Sequence, residues 1–491
     1  MDKSILSQTK PELKELRSKL GTSISFDLNL HISLPIDSLD NMAVQLKETV
    51  LRETAKKLGE VMCDVDRQIR EAKTRKTDGF LIKEKDVPRQ YMTPLGIIDF
   101  KRTYYTLKSG GRVYLLDALL GILPRERISR NLSAELVNKA TTFSYGKAAE
   151  AVGADVSRQT VSNRIHSLND VVSDVSITKK VVDELHIFAD EDHVNVHTEK
   201  GKKSVNVPII CLAEGIDKSN PDRHKIKEPL YVACYKQSPK VIFDQLYALA
   251  DRKYNLSKVS TIYIHADGGS WIKNGSKDVF DNAIHVMDEF HINERFQSMK
   301  AYMDPVTIDR LREFVMANDY DRFYYTGIEY RKKILDKKQR KRLDNDLNYF
   351  SNNWQAIINR YTRNVCGSCT ESLVSHVLAE RLSRTPCGWS EYGLDRMAML
   401  RAYKANGNKV KGEDINISIK AKADRQKQME SRKAEGYEKY GKYFKEAEEN
   451  LRNWFFEKYV EDRGDIIIDV SGGVQRFIKR ISTQNLYGSK L

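Results

Sequence analysis

Between residues 42 and 73, apolar side chains recur every three or four positions: Ala43, Leu46, Val50, Leu58, Met62, Val65 and Ile69, with Thr54 bridging Val50 to Leu58. That period predicts one long amphipathic helix in a helical N-terminal region, 1–90. The helix packs on its own domain or pairs two chains, with fewer than four heptads for a coiled coil. The period then changes. Gly96–Leu107 (GIIDFKRTYYTL) is rich in β-branched and aromatic residues, and Ser109-Gly-Gly111 separates it from Val113–Leu116, which predicts a hairpin within 91–125. Its face carries Lys101, Arg102, Tyr104, Tyr105 and Lys108, with Lys101 and Arg102 expected either to lie along a DNA phosphate backbone or simply to be solvated.

Residues 126–175 contain a second local pattern. Small residues in 147–152 lead to Gly153, and Ser157 is placed to cap a helix over 158–168. This reads as a helix-turn-helix. Val161 and Ile165 turn inward, while Arg158, Gln159, Ser162, Asn163 and Arg164 are able to reach base edges and phosphates.

From about 181 the chain becomes α/β. Strands are expected at 185–189, 204–212, 230–235, 259–266 and 283–287, with a helix at 241–254 between the third and fourth. A hairpin across 199–202 makes the first two strands antiparallel, and the strand–helix–strand link implies a parallel neighbour for the fourth. The first part of this α/β region spans 181–300. Residues 301–365 read as helices, 366–412 as the return to the sheet, and 413–491 as a polar, largely helical tail with one short apolar stretch at 466–470.

Length and charge refine this picture. A chain of 491 residues suggests about three domains at roughly 150 residues each. No stretch approaches the roughly 20 apolar residues of a membrane span, and six scattered cysteines (63, 211, 234, 366, 369, 387) fit a reducing cytoplasm better than a disulfide scaffold. The net charge of +14 favours a polyanionic partner. Eight of the twelve residues from Arg331 to Arg342 are basic, including Lys337, Lys338, Arg340, Lys341 and Arg342, either a solvated helical face or a track for a DNA backbone.

Three acidic residues stand out by position. Asp190 ends the first strand, and Asp267 follows the fourth, just before Gly268-Gly269. Carboxylates at the C-terminal edges of adjacent parallel strands lie where α/β sheets place ligands, and two such charges repel unless a cation joins them. Asp192 points to the same face as Asp190 and rivals it. Glu371 opens a helix over 370–381 whose face continues through Val374, Leu378 and Leu382; the same Ser368-Cys-Thr-Glu371 run is also a capping-box pattern, and Glu380 and Glu391 lie downstream. In-line phosphodiester chemistry uses two divalent cations about 3.5–4 Å apart, which carboxylates on rigid elements can hold.

These residues carry a resemblance. The strand order, an aspartate on the first strand, another after the fourth and a glutamate on a later helix resemble the RNase H-like fold of DDE transposases. Leu185–Val194 (LHIFADEDHV), His265-Ala-Asp-Gly-Gly-Ser-Trp-Ile-Lys273, Asp288-Glu-Phe-His291 and Gly388-Trp-Ser390 resemble the ISLre-type bacterial insertion-sequence transposases, relatives of the Mutator-like supergroup. The resemblance implies Asp190, Asp267 and Glu371 as catalytic, Mg²⁺-binding residues, with Mn²⁺ able to substitute. It places Asp288 and His291 beside the active site and makes 301–365 an all-α insertion between the fifth strand and the glutamate helix. It further implies double-stranded DNA partners (terminal inverted repeats and target), a homodimer or higher oligomer on DNA, and a nucleoid-associated bacterial protein. Two other classes compete: an RNase H-like nuclease without strand transfer, and a non-catalytic DNA-binding protein derived from a transposase.

The remaining constellations point nowhere stronger. Cys366-Gly-Ser-Cys369, with His376 and Cys387 nearby, lacks the paired half a zinc site calls for. The histidines at 186, 193, 197 and 285 read as structural ones. With no Gly-x-x-x-x-Gly-Lys loop, no nucleotide cofactor is expected.

Overall fold

The computed structural model describes residues 32–415, apart from 73, 78, 108–110, 169–170, 172, 221–223, 278, 281–282 and 385–386. Lys108 and all but the first few residues of the expected 413–491 tail fall outside the described residues.

The long helix forms as α1, Leu39–Glu71, with the Ser38 hydroxyl accepting from the Asn41 N–H at 3.3 Å. Its buried face is Ala55, Gly59, Met62, Val65 and Ile69, whereas Leu46 is exposed. Gly59 lets strand β2 approach closely, since a Cβ there would fall 2.2 Å from the Asp99 carbonyl oxygen. The N-terminal region is not wholly helical: β1 (Phe80–Thr93) pairs antiparallel with β2 (Gly96–Leu107), which pairs with β3 (Arg112–Tyr114). The expected hairpin is thus the second half of a three-stranded sheet. Leu115 and Leu116 start helix α2 (Leu115–Leu120), not the end of a strand.

Helices α3 (Arg130–Ala140), α4 (Tyr145–Val152) and α5 (Arg158–His166) follow. The α4–α5 pair is the expected helix-turn-helix. Gly153 turns the chain at φ +68°, Ser157 caps α5 through the Thr160 N–H at 3.2 Å, and Val161 and Ile165 are fully buried.

The central sheet contains β4 (Glu184–Thr198), β5 (Gly201–Ala213), β6 (Leu230–Ala233), β7 (Thr261–Ala266) and β8 (Ile284–Met287), in the spatial order β8-β7-β4-β5-β6. The β4–β5 and β5–β6 pairs are antiparallel, while β4–β7 and β7–β8 are parallel. Helices α6 (Pro239–Lys253) and α7 (Ser270–Ser276) cover one face, where Leu185, Ile187 and Ala189 of β4 meet Ile242, Phe243, Leu246 and Ile272.

After β8 come four helices: α8 (Glu289–Met299), α9 (Pro305–Met316), α10 (Tyr320–Lys333) and α11 (Lys337–Thr362). They share a second core around Phe296, Phe323 and Phe350 that includes Met287 of β8, so the all-α insertion is fastened to the sheet edge. The chain returns through α12 (Thr370–Leu373), a π-helical stretch (Val374–Ala379) and Glu380–Leu382, then α13 (Glu391–Ala405). This return packs against β4. Among the described residues, no helix is long and apolar enough to cross a membrane.

Candidate active site

The β4–β7 register pairs Phe188 with His265, and continuing it by two residues brings Asp190 opposite Asp267, the residue that follows the end of β7. Asp190 does not end the first strand as expected: β4 runs on to Thr198, held by its pairing with β5, so only Asp267 lies at a strand's C-terminal edge. Neighbouring strands run about 4.8 Å apart, so these carboxylates share one face at close range. Asp190 is pushed up to about 6, chiefly by burial, and the charges of Asp267 and Asp288 act in the same direction; the Glu191 N–H and the His291 ring oppose them. One oxygen of each aspartate is occupied by backbone: Asp190 Oδ1 accepts from the Glu191 N–H and Asp267 Oδ1 from the Gly269 N–H, both at 2.8 Å.

The Asp267 turn is braced from the insertion. Tyr349 of α11 donates to the Asp267 carbonyl at 3.0 Å, and Asn353 lies against Gly268 while accepting from Lys273 Nζ at 2.7 Å. Gly268 has φ +87°, and a Cβ there would meet Asn353 Oδ1 at 2.6 Å, so both conformation and space call for glycine.

Asp288 has a different task. Its Oδ1 accepts from the Phe290 N–H at 3.0 Å, and its Oδ2 accepts from the hydroxyls of Ser368 (2.5 Å) and Thr370. With both oxygens engaged, this buried carboxylate ties the start of α12 to the end of β8. Glu371 is the next residue of α12, so the chain carrying it begins beside Asp288; its side chain lies outside the described part of the structure. His291 is half-buried, with Nδ1 3.4 Å from Glu294.

The structure separates the rivals. Asp192 is buried, and its Oδ1 accepts from Ser383 at 2.9 Å, so it engages the end of the α12 return instead of the Asp267 turn. Glu380 pairs with Arg401 at 2.8 Å and Glu391 with Lys236 at 3.4 Å. The expected helical face through Val374 is corrected: Leu373, Val377, Leu378 and Leu382 are buried, and Val374 only partly. The wider π turn shifts the register, and Arg401 of α13 supports it by donating to the carbonyls of Val377 (2.6 Å) and His376 (2.5 Å). Trp389 is structural: it is buried, its Nε1 donates to Leu382 at 3.0 Å, and its carbonyl accepts from the His197 N–H of β4 at 2.8 Å.

The expected DNA-facing residues divide into two groups. Arg158, Gln159 and Asn163 are exposed on α5, and Ser162 is half-buried. Lys101, Lys337, Lys338, Lys341 and Arg342 are exposed as well. Arg102 is not on that surface. It is buried in an ion pair with Asp117, its guanidinium 3.6 Å from the Tyr114 ring centroid. Arg164 is paired with Glu126 at 2.5 Å, both largely buried, and Arg340 donates to the Ile334 carbonyl at 2.5 Å. The basic run is also not one helix, because it is broken by the turn at 334–336 that Asp336 uses to cap α11.

Sequence spacing set Cys366 beside Cys369, His376 and Cys387 and read His186 as structural, and so missed one cluster. His186 of β4, His265 of β7 and Cys366 of the loop before α12 converge; among the described residues they form the one group of three or more His, Cys, Asp or Glu side chains close enough to share an ion. Cys387 instead accepts from Arg381 at 3.6 Å.

Residues 36–416 match the family described as "Uncharacterised protein family (UPF0236)". The UPF0236 protein TTE0610/TTE0881/TTE1053/TTE2432 of Caldanaerobacter subterraneus subsp. tengcongensis is 31% identical over 393 residues, covering 77% of this chain and 82% of that protein. UPF0236 proteins TTE1650/TTE2708 and TTE0402 of the same bacterium are each 31% identical over 77% of this chain and 78% of their own lengths. The chain is therefore a member of the UPF0236 family. This corrects the resemblance to ISLre-type transposases, since the matching family and these relatives bear the UPF0236 name and nothing in them ties the chain to a transposase family.

Proposed function

We propose that this protein is a Mg²⁺-dependent DNA-processing enzyme of the DDE kind, cleaving phosphodiesters at the ends of a mobile element and joining them to target DNA. The observation that carries the reading is the nearness of Asp190, within β4, to Asp267, just past the end of its parallel neighbour β7, with Asp288 tying down the start of the Glu371-bearing helix. The strand order β8-β7-β4-β5-β6, with a hairpin on one side and parallel neighbours on the other, is the order expected of an RNase H-like sheet. The names of two relatives each join several labels from one bacterium, as expected of a coding sequence carried in several copies.

The donor set fits a hard cation. Asp190 and Asp267 each have one oxygen held by backbone and another with no hydrogen-bond partner among the described residues, so together with Glu371 they would hold the ion through oxygen. When bound, Mg²⁺ supplies activation of the attacking oxygen and stabilisation of the leaving one. The protein's part is positioning: strands β4 and β7 set the two aspartates, the Tyr349-braced turn fixes Asp267, and Asp288 fixes the start of α12. The exposed face of α5 would engage DNA.

The test uses the full chain, Mg²⁺, and duplexes taken from the DNA flanking its reading frame. Cleavage followed by strand joining is expected, and Asp267→Asn should abolish both while leaving DNA affinity within about twofold. Cutting without joining would assign a nuclease. An Asp267→Asn variant as active as the parent would remove the enzymatic reading.

A further inference from the structure

We propose that His186, His265 and Cys366 form a second metal site, for a borderline-soft ion such as Zn²⁺, that clamps together the three segments carrying the acidic residues. His186 Nδ1 and His265 Nε2 lie 3.0 Å apart, and Cys366 Sγ is 3.3 Å from the first and 4.0 Å from the second. Around a tetrahedral zinc with Zn–N near 2.05 Å and Zn–S near 2.3 Å, ligand atoms stand about 3.3 Å (N to N) and 3.6 Å (N to S) apart. The observed triangle has that size.

Hydrogen bonding explains the cluster poorly. Only one proton fits between the two ring nitrogens, and the thiol meets the same His186 Nδ1 that this proton already involves. His265 is fully buried, and its other nitrogen, Nδ1, has no partner among the described residues, so no hydrogen bond elsewhere accounts for the ring. Two imidazoles and a thiolate select a borderline-soft ion over Mg²⁺, leaving the fourth position to water or to Cys369.

The placement gives the site a purpose independent of the proposed DNA chemistry. His186 precedes Asp190 by four residues on β4, His265 precedes Asp267 by two on β7, and Cys366 precedes Glu371 by five in the loop entering α12. One ion would therefore join two strands to a loop that the sheet hydrogen bonds leave free.

The full chain, stripped with a chelator, is titrated with Co²⁺ and separately with Zn²⁺. The expected result is one equivalent bound with a thiolate-to-cobalt charge-transfer band, displaced by Zn²⁺ and unaffected by excess Mg²⁺. The band should vanish in Cys366→Ser and persist in Cys63→Ser. In the parent protein, which avoids any folding defect of the variant, Zn²⁺ should slow alkylation of Cys366 by at least about tenfold while leaving Cys63 unchanged. Absence of the band in the parent, its survival in Cys366→Ser, or equal alkylation of Cys366 with and without Zn²⁺ would overturn the site.

Discussion

Asp190 is a carboxylate working against its own charge, held near pH 6 by burial and by the negative charges of Asp267 and Asp288. Because its folded value lies above the ordinary 3.8, the folded state binds the proton more tightly. The penalty is absent below about pH 4, grows as pH rises towards 6 and is complete above that. In chelator-containing buffer, Asp190→Asn should raise stability at pH 7.5 by about 1–2 kcal/mol, a value discounted for partial solvent screening, and change it little at pH 4. Thermal unfolding at the two pH values checks this, and a variant equally shifted at both would show that repulsion is not the cause. Asp267 was legible because the end of a strand and a following glycine turn mark such an edge, whereas the end of the first strand was misplaced, since β4 continues past Asp190 to Thr198 by pairing with β5. The hydroxyls of Ser368 and Thr370 on Asp288 were not, since 80 and 82 residues separate these partners.

At the scale of elements, the Asp267 turn and the α12 return decide the site. Gly268→Ala must adopt φ near +87° and push Asn353, so a loss of about 1–3 kcal/mol is expected. In an Asn353→Ala background the loss should shrink, because the contact is gone, without vanishing, because the backbone strain stays. Denaturant unfolding of both pairs measures it; identical losses would mean that Asn353 plays no part. In the helix-turn-helix, Ser157→Ala removes the cap of α5 and should cost about 1 kcal/mol. That motif was readable because a serine cap, a turn glycine and two inward apolar residues are all local signals. The face of the α12 return was misread for the opposite reason: its π turn is supported by Arg401, more than twenty residues downstream, and no 3.6-residue period anticipates it.

For the whole molecule, the surplus of positive charge matters only where it meets solvent. Lys337, Lys338, Lys341 and Arg342 line the exposed start of α11, whereas Arg102 and Arg164 spend their charges on buried carboxylates. Replacing the four exposed residues by Gln should lower the slope of log affinity for duplex DNA against log salt by up to about 0.9 per residue that touches a phosphate. Arg102→Gln should leave that slope unchanged and lower stability by about 3 kcal/mol, since Asp117 loses its buried partner. Binding titrations at several salt concentrations, paired with unfolding curves, separate the two behaviours. An unchanged slope in the fourfold variant would take α11 off the DNA path.

The sequence alone determined many of the elements and their order, because helix and strand periods, caps and turn glycines are written in neighbouring residues: the long α1, the helix-turn-helix, the existence of the five central strands and the helical insertion follow from them, whereas α2, α3, α13 and the length of β4 do not. It missed β1, whose pairing partner β2 supplies what its own pattern lacks. Only the tertiary structure decided which side chains meet. Strand adjacency brought Asp190 to Asp267 and His186 to His265, the loop before α12 carried Cys366 to both histidines, and buried ion pairs withdrew Arg102 and Arg164 from the surface. Such meetings depend on contacts between residues distant along the chain, and no local period encodes them.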